Sequence, residues 1–165
     1  MFRTSEGYIA VLPLRLSMPL TEMPKNLVEG GRVVLTRLSA VISSRHAAIA
    51  TYRALRAFKE GKNLARNLEL EVAVCLTGER QIHRALAQTD PIGANRLVSI
   101  IISPHPLDWE GVARRICEVL GAVQTSDFCS AEDLARKFGV HDFSSCSGRL
   151  EFLILEKAAL VELER

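Results

Sequence analysis

The residues of this chain best suited to chemistry are cations, and they are clustered. Between residues 45 and 84 there are eight Arg and Lys against four Glu, whereas the rest of the chain holds 13 basic and 15 acidic residues. The eight cations are Arg45, Arg53, Arg56, Lys59, Lys62, Arg66, Arg80 and Arg84. Because the chain as a whole is nearly neutral, this local excess predicts a surface that attracts an anion or a nucleic acid.

Groups that could carry catalysis are scattered instead. The four histidines form no metal-binding spacing, and neither a G-x-S-x-G motif nor a phosphate-loop glycine pattern occurs. Cys146, in the run SSCSG, resembles a nucleophile at a helix start, but no signature supplies a base. The sequence therefore predicts a binding or regulatory protein, with no enzymatic activity, metal, cofactor or small-molecule substrate. A Cys-dependent enzyme is the weakest alternative.

Composition is that of an ordinary soluble globule. The 165 residues are 48% hydrophobic and 24% charged, which predicts one domain over residues 1–165. No apolar run reaches the roughly 20 residues of a membrane span, and the start of the chain lacks a signal-peptide pattern. We therefore expect a cytoplasmic protein without a membrane partner.

A helix is predicted from about Ser44 to Gly61, with one apolar and one basic side. The apolar side comprises Ala47, Ala50, Ala54, Leu55 and Phe58, and the basic arc comprises Arg45, Arg53, Arg56 and Lys59. Tyr52 projects into the basic arc, where it could stack on a nucleic-acid base. The open alternative is an ordinary solvated face in which Tyr52 covers its neighbours.

Three segments are predicted as strands. Tyr8–Ser17 contains Pro13, which cannot donate to a ladder, so an edge position is predicted. Val33–Ser39 alternates as a short strand, and Leu97–Ser103 is apolar enough to be covered on both faces.

The segment between residues 63 and 90 is predicted as two helices. Asn63–Leu76 fits a buried strand or a buried helix, and the helix is preferred. Thr77 is predicted to cap the next helix, with Glu79 and Arg80 in its first turn. A cation there, beside free backbone N–H groups, suits phosphate. Asp90-Pro91 ends this helix.

Helices are also predicted in the last third of the chain. One runs from the cap Asp108 to Gly121, and Ser130 with Asp133 resembles a capping box that opens another. Arg149–Leu163 is apolar nearly all round. One side holds Leu150, Leu153, Ile154, Ala158 and Val161, and the other holds Phe152, Leu155, Ala159 and Leu163. Such a helix is buried in its own domain or packs on a partner protein.

Three runs, taken in order, resemble the TPRKB family, the kinase-binding small subunit of the KEOPS complex. They are RHAAIATYRALRAFKEGKN, LELEVAVCLTGERQIHRAL and LEKAALVEL. The matching features are His46, Gly61-Lys62-Asn63, an apolar run from Glu69 or Glu71, Arg80-Gln81-Ile82 with Ala85-Leu86, and Leu155 to Leu160. The order and spacing of these short motifs are more specific than any one of them.

The resemblance implies a non-catalytic role in forming threonylcarbamoyladenosine on tRNA. Members of this family have a small α+β domain, with a short, mainly antiparallel sheet flanked by helices. They bind and regulate a PRPK-type atypical kinase, and archaeal members hold the single-stranded 3′ CCA end of tRNA. By resemblance, the tRNA-binding residues are Lys62, Arg80, Gln81 and Ile82. The C-terminal helix would contact the kinase through Leu150, Leu153, Ile154 and Val161.

The sequence departs from the family pattern in two places. Many relatives have Gly before the Ile or Val that ends the Arg-Gln-Ile helix, whereas this chain has Asp90-Pro91 before Ile92. Residues 1–40 carry almost no family motif. A kinase adaptor that never touches RNA is therefore the main alternative.

Overall fold

A computed structural model describes residues 1–25, 27–130, 133 and 150–163. These residues form five strands, five α-helices and a short 3-10 helix at Leu38–Ala40. The strands are β1 (Phe2–Thr4), β2 (Gly7–Leu16), β3 (Arg32–Arg37), β4 (Arg96–Ser103) and β5 (Ala122–Gln124). The helices are α1 (Ser44–Lys59), α2 (Leu68–Thr77), α3 (Ile82–Thr89), α4 (Trp109–Leu120) and α5 (Leu150–Leu163).

The strands form one antiparallel sheet flanked by helices. Its order is β1-β2-β4-β3, and β5 pairs with the end of β2. β4 is buried from Leu97 to Ser103, as its continuous apolar sequence predicted. The predicted single α+β domain with a small, mainly antiparallel sheet is confirmed.

The edge position predicted for the Pro13 strand is wrong, because β2 lies inside the sheet. It pairs with β4 along residues 8–15, and on its other side with β1 and β5. The Pro13 carbonyl accepts a hydrogen bond from Thr125 N at 3.0 Å, on the side away from β4. In a strand, N and C=O of one residue point the same way, so the missing N–H faces the gap between β1 and β5 and no bond to β4 is lost.

Each face of the sheet carries its own hydrophobic core, because side chains alternate along the strands. Ile9, Val34 and Ile100 pack with α1 and α2 on one face. Leu14 and Ile101 pack with α4 on the other. The helices that carry the clustered cations therefore all lie on one side of the sheet.

Capping residues lie at the ends of α1 and α4, as the sequence predicted. Ser43 accepts a hydrogen bond from His46 N at the start of α1, and Gly61, with φ of +67°, follows its end. Asp108 accepts from Gly111 N at the start of α4, and Gly121 ends it in the left-handed conformation. The helix preferred for the LEVAVCL run is also confirmed, as α2.

The cap predicted for α3 is wrong. Thr77 is the last residue of α2, and its hydroxyl donates back to Ala73 O at 2.9 Å. The helix α3 begins at Ile82 after Gln81, which makes no side-chain cap. Arg80 therefore precedes the helix rather than lying in its first turn. The physical reason is that α2 continues through Thr77, because Gly78 is the residue that leaves the helical conformation.

The predicted helix opened by Ser130 lies almost entirely outside the described residues. The capping hydrogen bond at its predicted start is present, since Ser130 Oγ accepts from Asp133 N at 3.1 Å. The C-terminal helix is confirmed as α5, which packs on α1 and α2. No helix in the described part of the chain has both the length and the apolar character needed to cross a membrane.

Candidate binding sites

The Arg-Gln-Ile motif lies in the turn that joins α2 to α3. Gly78, with φ of +66°, ends α2 in a conformation that favours glycine, and the chain reverses there. Arg80 and Gln81 are exposed at this turn. Ile82 is half-buried and packs against Ala73 and other small side chains of α2 and α3. The turn thus presents a cation and an amide beside a partly exposed apolar side chain.

An apolar cavity of about 200 Å³ lies between β3, α2 and α3. Ala73 lines the cavity and also belongs to the apolar cluster on which Ile82 packs, so the cavity lies close to the turn. Leu86, one helical turn after Ile82, lies at its mouth and is 37% exposed. The remaining lining residues include Val34, Thr36, Leu70, Leu76, Thr89 and Pro91, together with the acidic residues Glu69 and Asp90.

A buried carboxylate organises the loop that contains Lys62. Glu71 lies in the first turn of α2 and has no exposed surface. Its Oε2 accepts hydrogen bonds from the backbone N of Leu64 at 2.9 Å and of Ala65 at 2.8 Å. Glu71 therefore fixes the path of the chain between α1 and α2. Lys62 itself is exposed and forms an ion pair with Glu60 at 2.9 Å.

The predicted tRNA-binding residues fall at two ends of α2. His46 Nε2 lies 3.1 Å from Leu76 O, so the start of α1 meets the end of α2 and the two helices are antiparallel. Lys62, just after α1, therefore lies near the start of α2, whereas Arg80 follows its end. Ten residues of helix separate the two ends by about 15 Å. Arg80, Gln81 and Ile82 stay together, and Lys62 stands apart from them.

Cations of the predicted basic arc on α1 interact with groups of the chain itself. Arg53 donates to Leu155 O at 3.3 Å, and the Arg45 guanidinium lies 5.7 Å from the ring centre of Phe152. The other two cations also have partners, since Arg56 pairs with Glu60 at 2.8 Å and Lys59 with Glu6 at 3.0 Å. Tyr52 packs against the core. This pattern favours the solvated-face alternative, with part of the arc holding α5.

His46, which opens the resembling run, is a structural residue. It is fully buried, and burial lowers the pKa of its imidazole to about 4, so the ring is neutral at pH 7. Its Nδ1 has no hydrogen-bond partner among the described residues. The neutral imidazole links α1 to α2 through Leu76 O rather than contributing a charge to a surface.

The C-terminal helix has a buried and an exposed side. Ile154 has no exposed surface and Leu153 is half-buried, whereas Phe152 is 57% exposed. The side chains of Leu150 and Val161 lie outside the described residues. The kinase contact predicted at Leu150, Leu153, Ile154 and Val161 stays a prediction. Sequence analysis placed Phe152 on the second apolar side but did not select it, although an aromatic residue there is the usual type of interface anchor.

Fold and surface together define a small α+β binding protein, with an apolar cavity beside the turn that presents Arg80 and Gln81, and a terminal helix that presents an aromatic side chain. Within the described residues, no three His, Cys, Asp or Glu side chains are grouped to hold a metal ion. Among curated proteins, nothing matches this chain.

The family model described as "Kinase binding protein CGI-121" matches residues 24–160. The chain belongs to this family, which is the TPRKB family that its motifs resemble. The match begins at residue 24, so it includes part of the N-terminal stretch in which the motifs gave almost no signal. The description is that of a kinase adaptor, which supports kinase binding and a regulatory role.

Proposed function

We propose that this chain is the KEOPS subunit that binds the PRPK-type kinase and holds the single-stranded 3′ CCA end of tRNA during threonylcarbamoyladenosine formation. The observation that supports tRNA binding best is the turn Arg80-Gln81-Ile82 beside the apolar cavity of about 200 Å³. Kinase binding rests on the family to which the chain belongs.

The turn and the cavity offer the two kinds of contact that a single strand requires. Arg80 neutralises a backbone phosphate, a contribution that weakens as salt concentration rises. Ile82, Leu86 and the cavity offer an apolar surface to an unstacked base. Gln81 offers an amide that both donates and accepts hydrogen bonds at a base edge. A single-stranded end suits this site because its bases are not paired.

The kinase contact is assigned to α5, with Phe152 at its centre. Ile154 is buried where the helix packs on the domain, whereas Phe152 is largely exposed. The guanidinium of Arg45 lies over the Phe152 ring and limits its freedom. An exposed aromatic side chain held in place loses little entropy when a partner covers it.

One surface for the kinase and another for the tRNA end would let this small protein support the reaction without catalysing any step. A protein that holds the kinase with one surface and the tRNA end with another raises the effective concentration of tRNA at the complex. The contribution is one of tethering, and it requires no catalytic group on this chain.

Replacing Arg80 with Glu is expected to weaken tRNA binding about tenfold and to leave kinase binding unchanged. The change removes a favourable phosphate contact and adds a repulsive charge at the exposed turn. The measurement is the Kd for tRNA and for the kinase by titration calorimetry. Arg114→Glu is the matched control, because Arg114 is an exposed cation of α4 on the opposite side of the sheet. Loss of both partners in a folded Arg80→Glu variant would contradict separate sites.

The second candidate function is a kinase adaptor that does not bind RNA. It is favoured by the cations of α1, which interact with Glu6, Glu60, Phe152 and the Leu155 carbonyl of the same chain. The two candidates differ in one readout, because only the tRNA-holding subunit gives salt-sensitive RNA binding.

A further inference from the structure

A second, larger cavity lies on the same side of the sheet, away from the Arg-Gln-Ile turn. It has a volume of about 760 Å³, within the range of about 300–1,000 Å³ typical of ligand pockets. It opens between the start of β3, the second half of α1 and the start of α2. Its lining includes Glu6, Gly31, Arg32, Leu55, Phe58 and Arg66.

Two arginines from different parts of the chain line this cavity. Arg32 is the first residue of β3, and Arg66 precedes the cap of α2. Both are exposed, and neither guanidinium forms a hydrogen bond or ion pair within the described part of the chain. The one acidic residue at the cavity, Glu6, accepts hydrogen bonds from Lys59 Nζ through both carboxylate oxygens, at 3.0 and 3.1 Å. Its charge is therefore balanced by Lys59, and the two arginines give the cavity a net positive charge.

The cavity also has an apolar wall. Leu55 and Phe58 come from α1, and Ile102 comes from β4. Arg32 is paired with Ile102 in the sheet register and shares the face that packs on α1 and α2, because it lies two residues before Val34. The guanidinium and the apolar wall therefore border the same space.

The rim of the cavity requires glycine. A Cβ at Gly31 would lie 2.9 Å from the backbone oxygen of Ile102, closer than real Cβ atoms are found to lie. Without a side chain, this part of the loop can approach β4 closely and leave the cavity open beside it.

We propose that this cavity binds a nucleotide phosphate, with the phosphate between Arg32 and Arg66 and the flat base against Leu55 and Phe58. Arginine is the side chain best suited to phosphate, because its planar fork donates two parallel hydrogen bonds. The phosphate can belong to a free mononucleotide or to an RNA backbone, since the chemistry recognised is the same. This site lies at the start of α2, about 15 Å from the Arg-Gln-Ile turn at its other end, and it does not depend on CCA binding.

The test is titration of the full chain with AMP and, separately, with a single-stranded hexauridine RNA that lacks a CCA end. Arg32→Gln and Arg66→Gln are each expected to weaken binding of the probe about tenfold, and the double variant to abolish it. Arg114→Gln on α4 is the matched control and should leave the Kd unchanged. Because both arginines are exposed, the variants should unfold at the wild-type temperature.

The outcomes separate the two sources of phosphate. Arginine-dependent binding of AMP supports a mononucleotide site, and arginine-dependent binding of the RNA alone supports a backbone site. Failure of both probes to bind, or binding that survives in the double variant, would overturn the proposal.

In the wild-type chain, amide NMR shifts provide a check without substitution: the bound probe should move the signals of Gly30 and Gly31 and spare that of Gly78. The reverse pattern would also overturn it.

Discussion

The Glu71→Ala variant is expected to lose about 3 kcal/mol of unfolding free energy, because it removes a buried charged acceptor. The Glu71 carboxylate is fully buried and accepts two backbone hydrogen bonds, from Leu64 and Ala65. A hydrogen bond to a charged group contributes about 1.5–3 kcal/mol, and removing the acceptor leaves the buried N–H of Ala65 without its partner. The loop between α1 and α2 also contains Lys62 and Arg66, so its path fixes where these two cations lie.

Thermal unfolding measures this effect, as a decrease in Tm of about 10 °C in a protein of this size. Glu69→Ala is the matched control, because Glu69 lies in the same first turn of α2 but is exposed. Both variants lose the same favourable interaction with the helix dipole. Glu71→Gln, which keeps one acceptor oxygen, should lie between them. Equal Tm values for the two Ala variants would show that the buried carboxylate does not hold the loop.

The Phe152→Ala variant is expected to bind the kinase about thirtyfold more weakly while its fold stays intact. Phe152 is 57% exposed on α5, and aromatic anchors at interface centres commonly contribute about 2 kcal/mol or more, which corresponds to roughly this factor. Truncating the ring costs the domain little, because a cation–π interaction such as that with Arg45 is weak at an exposed site. The measurement is the Kd for the kinase by titration calorimetry, together with the Tm of the variant.

Val119→Ala provides the comparison for a similar loss of exposed apolar surface. Val119 is 54% exposed on α4, on the other side of the sheet. Its truncation should leave the Kd for the kinase unchanged. If the two variants bind equally well, the kinase contact lies elsewhere than the exposed side of α5.

Much of the fold follows from local chemistry that the sequence displays. The helix α4 begins after Asp108, because the carboxylate of this residue accepts from a free N–H group of the first turn. It ends at Gly121, because glycine adopts the left-handed conformation at little cost. The same logic failed at Thr77, because α2 continues through this residue to Gly78 and the Thr77 hydroxyl donates a hydrogen bond to Ala73 O within α2. The prediction from Pro13 was also wrong. A proline can lie in an interior strand when its nitrogen faces a gap between neighbouring strands, and the sheet topology decides which way the nitrogen faces.

The surface was less predictable because it depends on contacts between distant residues. Arg80, Gln81 and Ile82 stay together, since they are consecutive, but the separation of Lys62 from them follows from the antiparallel packing of α1 and α2. Helical spacing correctly placed Arg53 on one arc of α1, yet its bond to Leu155 O joins residues 102 positions apart. No helical wheel predicts such a partner.

The central proposal, that this kinase-binding protein also holds the 3′ end of tRNA, is tested most directly by tRNA binding with and without the CCA end. The purified chain is titrated with both forms of one tRNA at two salt concentrations. We expect the intact tRNA to bind more tightly than the truncated form, with an affinity that falls as salt rises. Equal affinity for the two forms, or no binding to either, would contradict the proposal and leave the chain as a kinase adaptor alone.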